Sequence, residues 1–197
     1  MAKSSYTSAE LAGLVITTCH RYYPNQNFDK LDLEAHLKLC LFDLSNYITR
    51  DSLNGFFLKN ETLTEDSHAS GIYVYDISTF ENNILEIISG YSVGVGNFEV
   101  CNFAKVQSAS LSNEMKRYAI GGIVDGKLHV YFGESTPGVT TLLYVKRPTI
   151  TAGVIDVPDL FAHILILLAS ESTLVADGKE VPAGLTAQIK ERMELLK

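Results

Sequence analysis

The sequence predicts an α+β protein in which two N-terminal and two C-terminal helices form a four-helix bundle with an inserted antiparallel β domain. Three observations lead to this fold class. Helical periodicity occurs at both ends of the chain, and short strands with turn signals lie between them. A pair of helices alone is also rarely stable, which favours packing the two pairs together. We expect the bundle at residues 1–53 and 149–197, and the β domain, a small sandwich or open barrel, at residues 54–148.

The first fifty residues carry the patterns of two helices. Thr7 and Glu10 stand at the spacing of a capping box, and Pro24 ends the helix that follows. A second helix is predicted to start near Asp29. Its apolar stripe consists of Leu33, Leu37, Leu41, Leu44 and Ile48.

The middle of the chain is predicted to be a sheet of short strands joined by tight turns. Residues 54–71 are polar and unpatterned, which predicts a loop. The pair Asp125-Gly126 favours a type I′ hairpin between strands at 118–124 and 128–132, and Pro148 closes the last strand. Two further strands are predicted at 72–77 and 84–88, whereas the Gly-rich stretch 90–103 gives no clear pattern.

The helix predicted after Asp156 is apolar on nearly every face, so other protein must cover all its sides. We expect it centrally in the bundle and near a subunit interface, with a final helix at 183–197. Its apolar run, at about 160–169, is too short to span a bilayer, so no membrane contact is predicted. His163 is expected to make a hydrogen bond in the core or at an interface. The interface candidates on this helix are Leu160, Phe161, His163 and Ile164.

Further interface candidates lie at the end of the last strand, where Tyr144 precedes Lys146 and Arg147. The two basic residues suit phosphate or a partner's carboxylate. They also suit a solvated strand edge that discourages further pairing, and this second interpretation is favoured.

No motif indicates catalysis. The five histidines lack metal-binding spacing, no GxSxG is present, and Gly94-Val95-Gly96 lacks the rest of a phosphate loop. The three cysteines form no CxxC pair, which favours free thiols and a reducing compartment. The net charge of −7 argues against a dedicated nucleic-acid binder. We therefore expect no enzyme activity, no catalytic residue, no metal and no cofactor.

Three segments together resemble the head-to-tail adaptor proteins of tailed bacteriophages, also called connector or neck-ring proteins. They are Leu142–Pro148 (LLYVKRP), the helix start at Asp156–Leu160, and the phrase from Tyr118 to Phe132. The likeness covers roughly residues 7–197 but consists of residue classes, so it assigns no binding residue.

The resemblance implies a non-enzymatic structural protein of the virion. Such proteins form a ring, commonly of twelve copies, that docks on the portal at the head–tail junction. The ring extends the DNA channel, holds packaged DNA before ejection without reading its sequence, and offers a platform for tail or further ring proteins. Synthesis in the host cytoplasm is also implied.

Two other classes of protein remain open from the residues alone. One is a soluble binding module whose β domain holds a small ligand or peptide. The other is an enzyme whose site is assembled from scattered polar residues.

Overall fold

The computed structural model describes residues 5–28, 31–49, 51–111 and 119–196, without the side chains of residues 54 and 108–111. The predicted helix start at Asp29 and strand start at Tyr118 lie outside the described residues. The chain divides into two compact units, Met1–Phe57 with Arg147–Lys197 and Leu58–Lys146. We call them the helical unit and the sheet unit.

The helical unit holds four helices and a two-stranded antiparallel sheet of β1 with β10. In chain order its elements are β1 (Tyr6–Thr7), α1 (Ser8–Tyr22), α2 (Leu33–Ser45), β10 (Val154–Ile155), α4 (Asp159–Ala176) and α5 (Ala183–Glu194), with a 3-10 turn at Ser52–Gly55. The sheet unit contains β2 (Leu58–Leu63), β3 (Glu65–Ala69), β4 (Ile72–Asp76), β5 (Ile84–Ser92), β6 (Gly96–Cys101), α3 (Phe103–Leu111), β7 (Ile120–Val124), β8 (Lys127–Tyr131) and β9 (Thr140–Lys146), with a 3-10 turn at Glu81–Asn83.

The capping box predicted for α1 is confirmed. The Thr7 hydroxyl accepts a hydrogen bond from the Glu10 amide at 3.1 Å, and the Glu10 carboxylate accepts one from the Thr7 amide at 2.8 Å. These bonds satisfy two N–H groups that the first turn of a helix otherwise leaves without partners. The boundary of α1 is therefore encoded locally.

α4 is the centre of the helical unit, and ten of its eighteen residues are buried. α1, α2 and α5 each pack directly on it. The Cys19 thiol on α1 lies 3.7 Å from the Ser170 carbonyl oxygen, and His36 Nδ1 on α2 lies 2.8 Å from the Ser172 hydroxyl. Three helices of the same chain thus cover the helix that the sequence marks as apolar all round.

The sheet unit contains one curled eight-stranded sheet in the order β2-β9-β5-β6-β7-β8-β4-β3. The hairpin of β7 and β8 is confirmed, because Asp125 (φ 50°) and Gly126 (φ 72°) both adopt the left-handed conformation that a type I′ turn requires. β6 and β7 pair in parallel, and α3 lies in the crossover between them. The parallel pair makes this a mixed sheet.

The predicted fold class, a four-helix bundle with an inserted antiparallel β domain, is wrong. The protein is α+β, and its described residues form five α-helices, one of which belongs to the sheet unit. α1 and α2 contact each other as well as α4, whereas α5 packs substantially on α4 alone among the described helices. The sheet is neither a sandwich nor antiparallel throughout, but a mixed half-barrel.

The loop predicted at residues 54–71 is also wrong, since most of it forms β2 and β3. Both strands lie at the sheet edges, where β2 pairs with β9 and β3 with β4. Their polar side chains are mostly exposed. The sequence therefore lacks the alternation of apolar and polar residues that indicates a half-buried strand. Pairing with a neighbouring strand, rather than side-chain burial, determines their conformation.

Candidate interaction surfaces

The four candidates on α4 do not share one surface. Phe161 and Ile164 are fully buried, and the Phe161 ring packs edge-on against Phe57 with centroids 5.3 Å apart. Leu160 is half-buried, whereas His163 is exposed. Phe161 and Ile164 therefore contribute to the core of the helical unit, and only Leu160 and His163 can be reached from outside the chain.

His163, expected in the core or at an interface, lies outside the core of the helical unit. Partial desolvation lowers the pKa of its imidazole, and the positive charges of Arg192 and Arg21 lower it further. α5 and α1 carry these two arginines, so side chains from both neighbouring helices act on His163 of α4. The neutral form of His163 is favoured.

The three candidates near the end of β9 also separate. Tyr144 is buried and stacks on Phe80 with ring centroids 5.4 Å apart, so it belongs to the core of the sheet unit. Lys146 is half-buried and pairs with Ile84 across the β9–β5 ladder. Arg147, in the helical unit, places its guanidinium carbon 5.0 Å from the centre of the Phe42 ring.

Arg147 is also incompletely satisfied. Its Nε atom is buried and has no hydrogen-bond partner among the residues that the structure describes. Buried donors are normally paired, so such an atom calls for an explanation. In the isolated chain, the buried Nε–H group of Arg147 therefore lacks a hydrogen-bond acceptor among the described residues.

Beside Arg147, α2 carries an apolar stripe on its outer face. Ala35, Leu39 and Phe42 follow one another at intervals of four and three residues, so they lie on one side of the helix. Leu39 is 57% exposed and Phe42 is 51% exposed. We call these three residues the α2 stripe.

Sequence reasoning missed this surface because it assigned α2 a single apolar face. The buried side of α2 follows the predicted positions Leu33, Leu37, Leu41 and Leu44. Leu39 and Phe42 fall outside that stripe, and this second apolar line was the signal that could have revealed an exposed face. One helix thus presents apolar groups in two directions.

The sheet unit exposes a second apolar feature where two turns meet. Tyr91, Val93 and Val139 are all largely exposed. The Val93 amide donates to the Val139 carbonyl at 3.0 Å, and the Gly138 amide donates to the Val93 carbonyl at 2.8 Å. These bonds hold the two turns together as one apolar tip.

Described residues of the sheet unit line a larger and a smaller cleft. The larger, of about 370 Å³, is lined by Glu61, Thr62, Leu63, Thr64, Glu65, Asp66, Asp76, Thr79 and Phe80. Two of its carboxylates are already paired, Asp66 with Lys127 at 2.6 Å and Glu65 with His68 at 2.8 Å. The smaller, of about 220 Å³, is lined by Asn60, Ser89, Tyr91, Asn97, Thr141 and Leu143.

The thiols are poor nucleophiles as the protein is folded. Burial raises the pKa of Cys19 to about 11 and that of Cys40 to about 11. A thiol must ionise before it attacks a substrate or binds a metal, so both remain protonated near neutral pH. Within the described ranges, no group of three or more His, Cys, Asp or Glu side chains is arranged to hold a metal ion.

By length and composition, α4 is apolar enough to cross a membrane, contrary to the estimate made from its shorter apolar run. More than half of the helix is buried inside the protein. A core helix of a soluble protein passes the same test. Its packing against α1, α2 and α5 accounts for its apolarity without a bilayer.

Comparison with known proteins identifies no relative. No family model matches the chain, and no curated protein matches its sequence.

Proposed function

We propose that this chain is a non-enzymatic structural protein of a phage virion, a ring-forming head-to-tail adaptor that docks on the portal. It would extend the DNA channel, through which packaged DNA passes without sequence-specific binding, and give tail proteins a platform. One observation carries the proposal. Arg147, in the segment that resembles the adaptor family, lies over Phe42 of the exposed α2 stripe. Arg147 of this segment thus adjoins an exposed apolar surface of the helical unit.

The physics of ring assembly supports this interpretation. A cyclic ring needs two different complementary surfaces on each subunit, and apolar side chains left exposed by the monomer are natural parts of such surfaces. The net charge of −7 suits a conduit that does not bind the phosphate backbone. Synthesis in the host cytoplasm and residence at the head–tail junction belong to the same proposal.

The decisive experiment is co-expression with the portal protein of the same phage. We expect the two proteins to co-purify, and negative-stain images to show a ring of this chain seated on the portal ring. A chain that does not co-purify with portal and shows no ring in images of assembled particles would overturn the proposal. A monomer in the absence of portal does not contradict it, because some adaptors assemble only on contact.

The second candidate function is a binding module whose sheet unit holds a small ligand or peptide. The cleft of about 370 Å³ favours it, since this volume lies within the range of small-molecule sites. Its other two carboxylates, Glu61 and Asp76, favour cationic ligands. Chemical-shift mapping with cationic peptides distinguishes this candidate: saturable shifts of Glu61 and Asp76 would support it, and unchanged spectra would exclude that class of ligand.

A further inference from the structure

We propose that a second copy of this chain covers the α2 stripe, using the exposed C-terminal turn of its α5. The contact joins Leu39, Phe42 and Arg147 of one copy to Leu195 and the neighbouring glutamates of the next. This deepens the adaptor proposal and rests on it for the biological setting, because it names the surfaces through which the subunits of the ring meet.

The α2 stripe offers one half of the contact. Leu39 and Phe42 present apolar area, and Arg147 holds a positive charge over the Phe42 ring. Lys38, a second described cation near this face, is already paired with Glu34 at 2.8 Å. An occupant that suits this face brings an apolar side chain together with a carboxylate for the guanidinium, because arginine pairs with carboxylates in a well-defined geometry.

The end of α5 offers the other half. Leu195 is 53% exposed, and Glu191 and Glu194 beside it are exposed as well. Helical spacing places Glu191 one turn before Leu195, on the same side of the helix. Neither glutamate makes an ion pair with any residue that the structure describes. The α5 end is therefore an apolar side chain beside two carboxylates that form no ion pair within the described part of the chain.

Within one chain, no ion pair joins these two faces among the residues that the structure describes. α2 and α5 each pack on α4 and make little contact with one another. A contact between unlike faces of two copies is heterologous, and repeating it gives a closed ring or an open filament. The charges also set its direction, since Arg147 meets glutamates and like charges would repel.

Charge exchange tests the contact on the full chain. Sedimentation velocity and portal co-purification compare the natural chain with Arg147→Glu, with Glu191→Arg and Glu194→Arg made together, and with all three changes combined. We expect each reversal alone to weaken self-association on the order of tenfold or more, and the combination to recover most of it. Reversals that leave association unchanged, or a combination that recovers nothing, would overturn the contact.

An exposed leucine on another helix provides the matched control. Leu39→Ala removes apolar area from the α2 stripe, whereas Leu14→Ala removes it from α1, where Leu14 is 44% exposed. We expect only Leu39→Ala to weaken association. Equal effects of the two changes would show that the α2 stripe has no special part in assembly. Circular dichroism of each variant checks that the fold is intact.

A disulfide trap remains decisive if a charge variant fails to fold. Leu39→Cys and Leu195→Cys are combined in a Cys101→Ser background, which removes the half-buried thiol. Oxidation of the assembled protein is expected to give a ladder of linked chains. The absence of a ladder in portal-bound rings refutes this contact while the adaptor function stands. A ladder of linked chains without portal binding refutes the adaptor function while the contact stands. A chain that neither associates with itself nor binds portal refutes both the contact and the adaptor function.

Discussion

The guanidinium carbon of Arg147 lies 5.0 Å from the centre of the Phe42 ring, which ties the residue that follows β9 to the outer face of α2. We expect a double-mutant cycle of Arg147→Ala and Phe42→Ala to give a coupling of about 0.5–1 kcal/mol, as for cation–π pairs at exposed sites. Urea unfolding of the four proteins measures it. A coupling near zero would mean that the two side chains are merely adjacent.

Phe161 and His163 stand two residues apart on α4 but differ in burial, which makes them a matched pair. Phe161 is fully buried against Phe57, so Phe161→Ala should cost about 3–5 kcal/mol of unfolding free energy. His163 is exposed, so His163→Ala should change it by less than about 0.5 kcal/mol. Urea midpoints measure both. A large loss for His163→Ala would contradict this orientation of α4.

Gly90 lies against the ring of Phe98 so closely that no side chain fits. A Cβ at this position would stand 2.0 Å from Phe98 Cζ, so Gly90→Ala must displace the ring and should cost about 1–3 kcal/mol or more. The control is Gly13→Ala in α1, where nothing lies within 4 Å of the added Cβ. That change should stabilise the protein by roughly 0.5–1 kcal/mol. Similar effects of both changes would contradict the packing at Gly90.

The lowered pKa of His163 predicts a pH dependence of stability. The folded protein holds this group less readily protonated than the unfolded chain, whose value is about 6.5. The unfolded state therefore binds more protons as the pH falls below about 6.5, and stability decreases there. Comparing the urea midpoints at pH 8 and pH 5, we expect His163→Gln to lose less stability on acidification than the natural chain. An unchanged pH response would show that His163 does not contribute.

The pKa of His129 in the sheet unit is also lowered. Partial desolvation is the main cause, and the positive charge of Lys127 adds to it. His129→Gln is therefore expected to reduce the acid sensitivity independently of His163→Gln, and the double variant should show both reductions.

Thiol labelling provides a separate check on burial. Cys101 is half-buried, whereas Cys19 and Cys40 are buried and their pKa values are raised to about 11. At pH 7.5 a thiol-specific chromogenic reagent should label Cys101 first, and the other two only as the chain unfolds. Mass spectrometry of the labelled peptides identifies the sites. Early labelling of Cys19 would show that α1 does not stay packed on α4.

The sequence predicted those elements whose signals are local. The capping box of Thr7 with Glu10 and the turn at Asp125-Gly126 each depend on residues within a few positions of each other, and both are present. β2 was not predicted because it forms by pairing with β9, which lies about eighty residues later in the chain. Such distant pairing leaves no mark in a short window of sequence.

The parallel pairing of β6 with β7 was not predicted for a related reason. Strand direction depends on the crossover through α3, and β6 lies in the stretch 90–103, which gives no clear pattern in the sequence. On α4, the apolar run correctly indicated a covered helix but not which side faces out. The apolar run therefore left open whether His163 lies in the core or at an interface, and in the structure the turn of the helix carries it to the exposed side.

Because α4 is central to the helical unit, α1 and α2 cannot complete their packing until α4 has been synthesised. The Cys19 thiol meets the Ser170 carbonyl, a partner 151 residues later in the chain. At translation rates of roughly 5–20 residues per second, the apolar sides of α1 and α2 wait on the order of ten to thirty seconds for that partner. During this interval Leu11, Val15 and Leu37 lack the helix that buries them. The nascent chain is then most exposed to aggregation and to capture by chaperones.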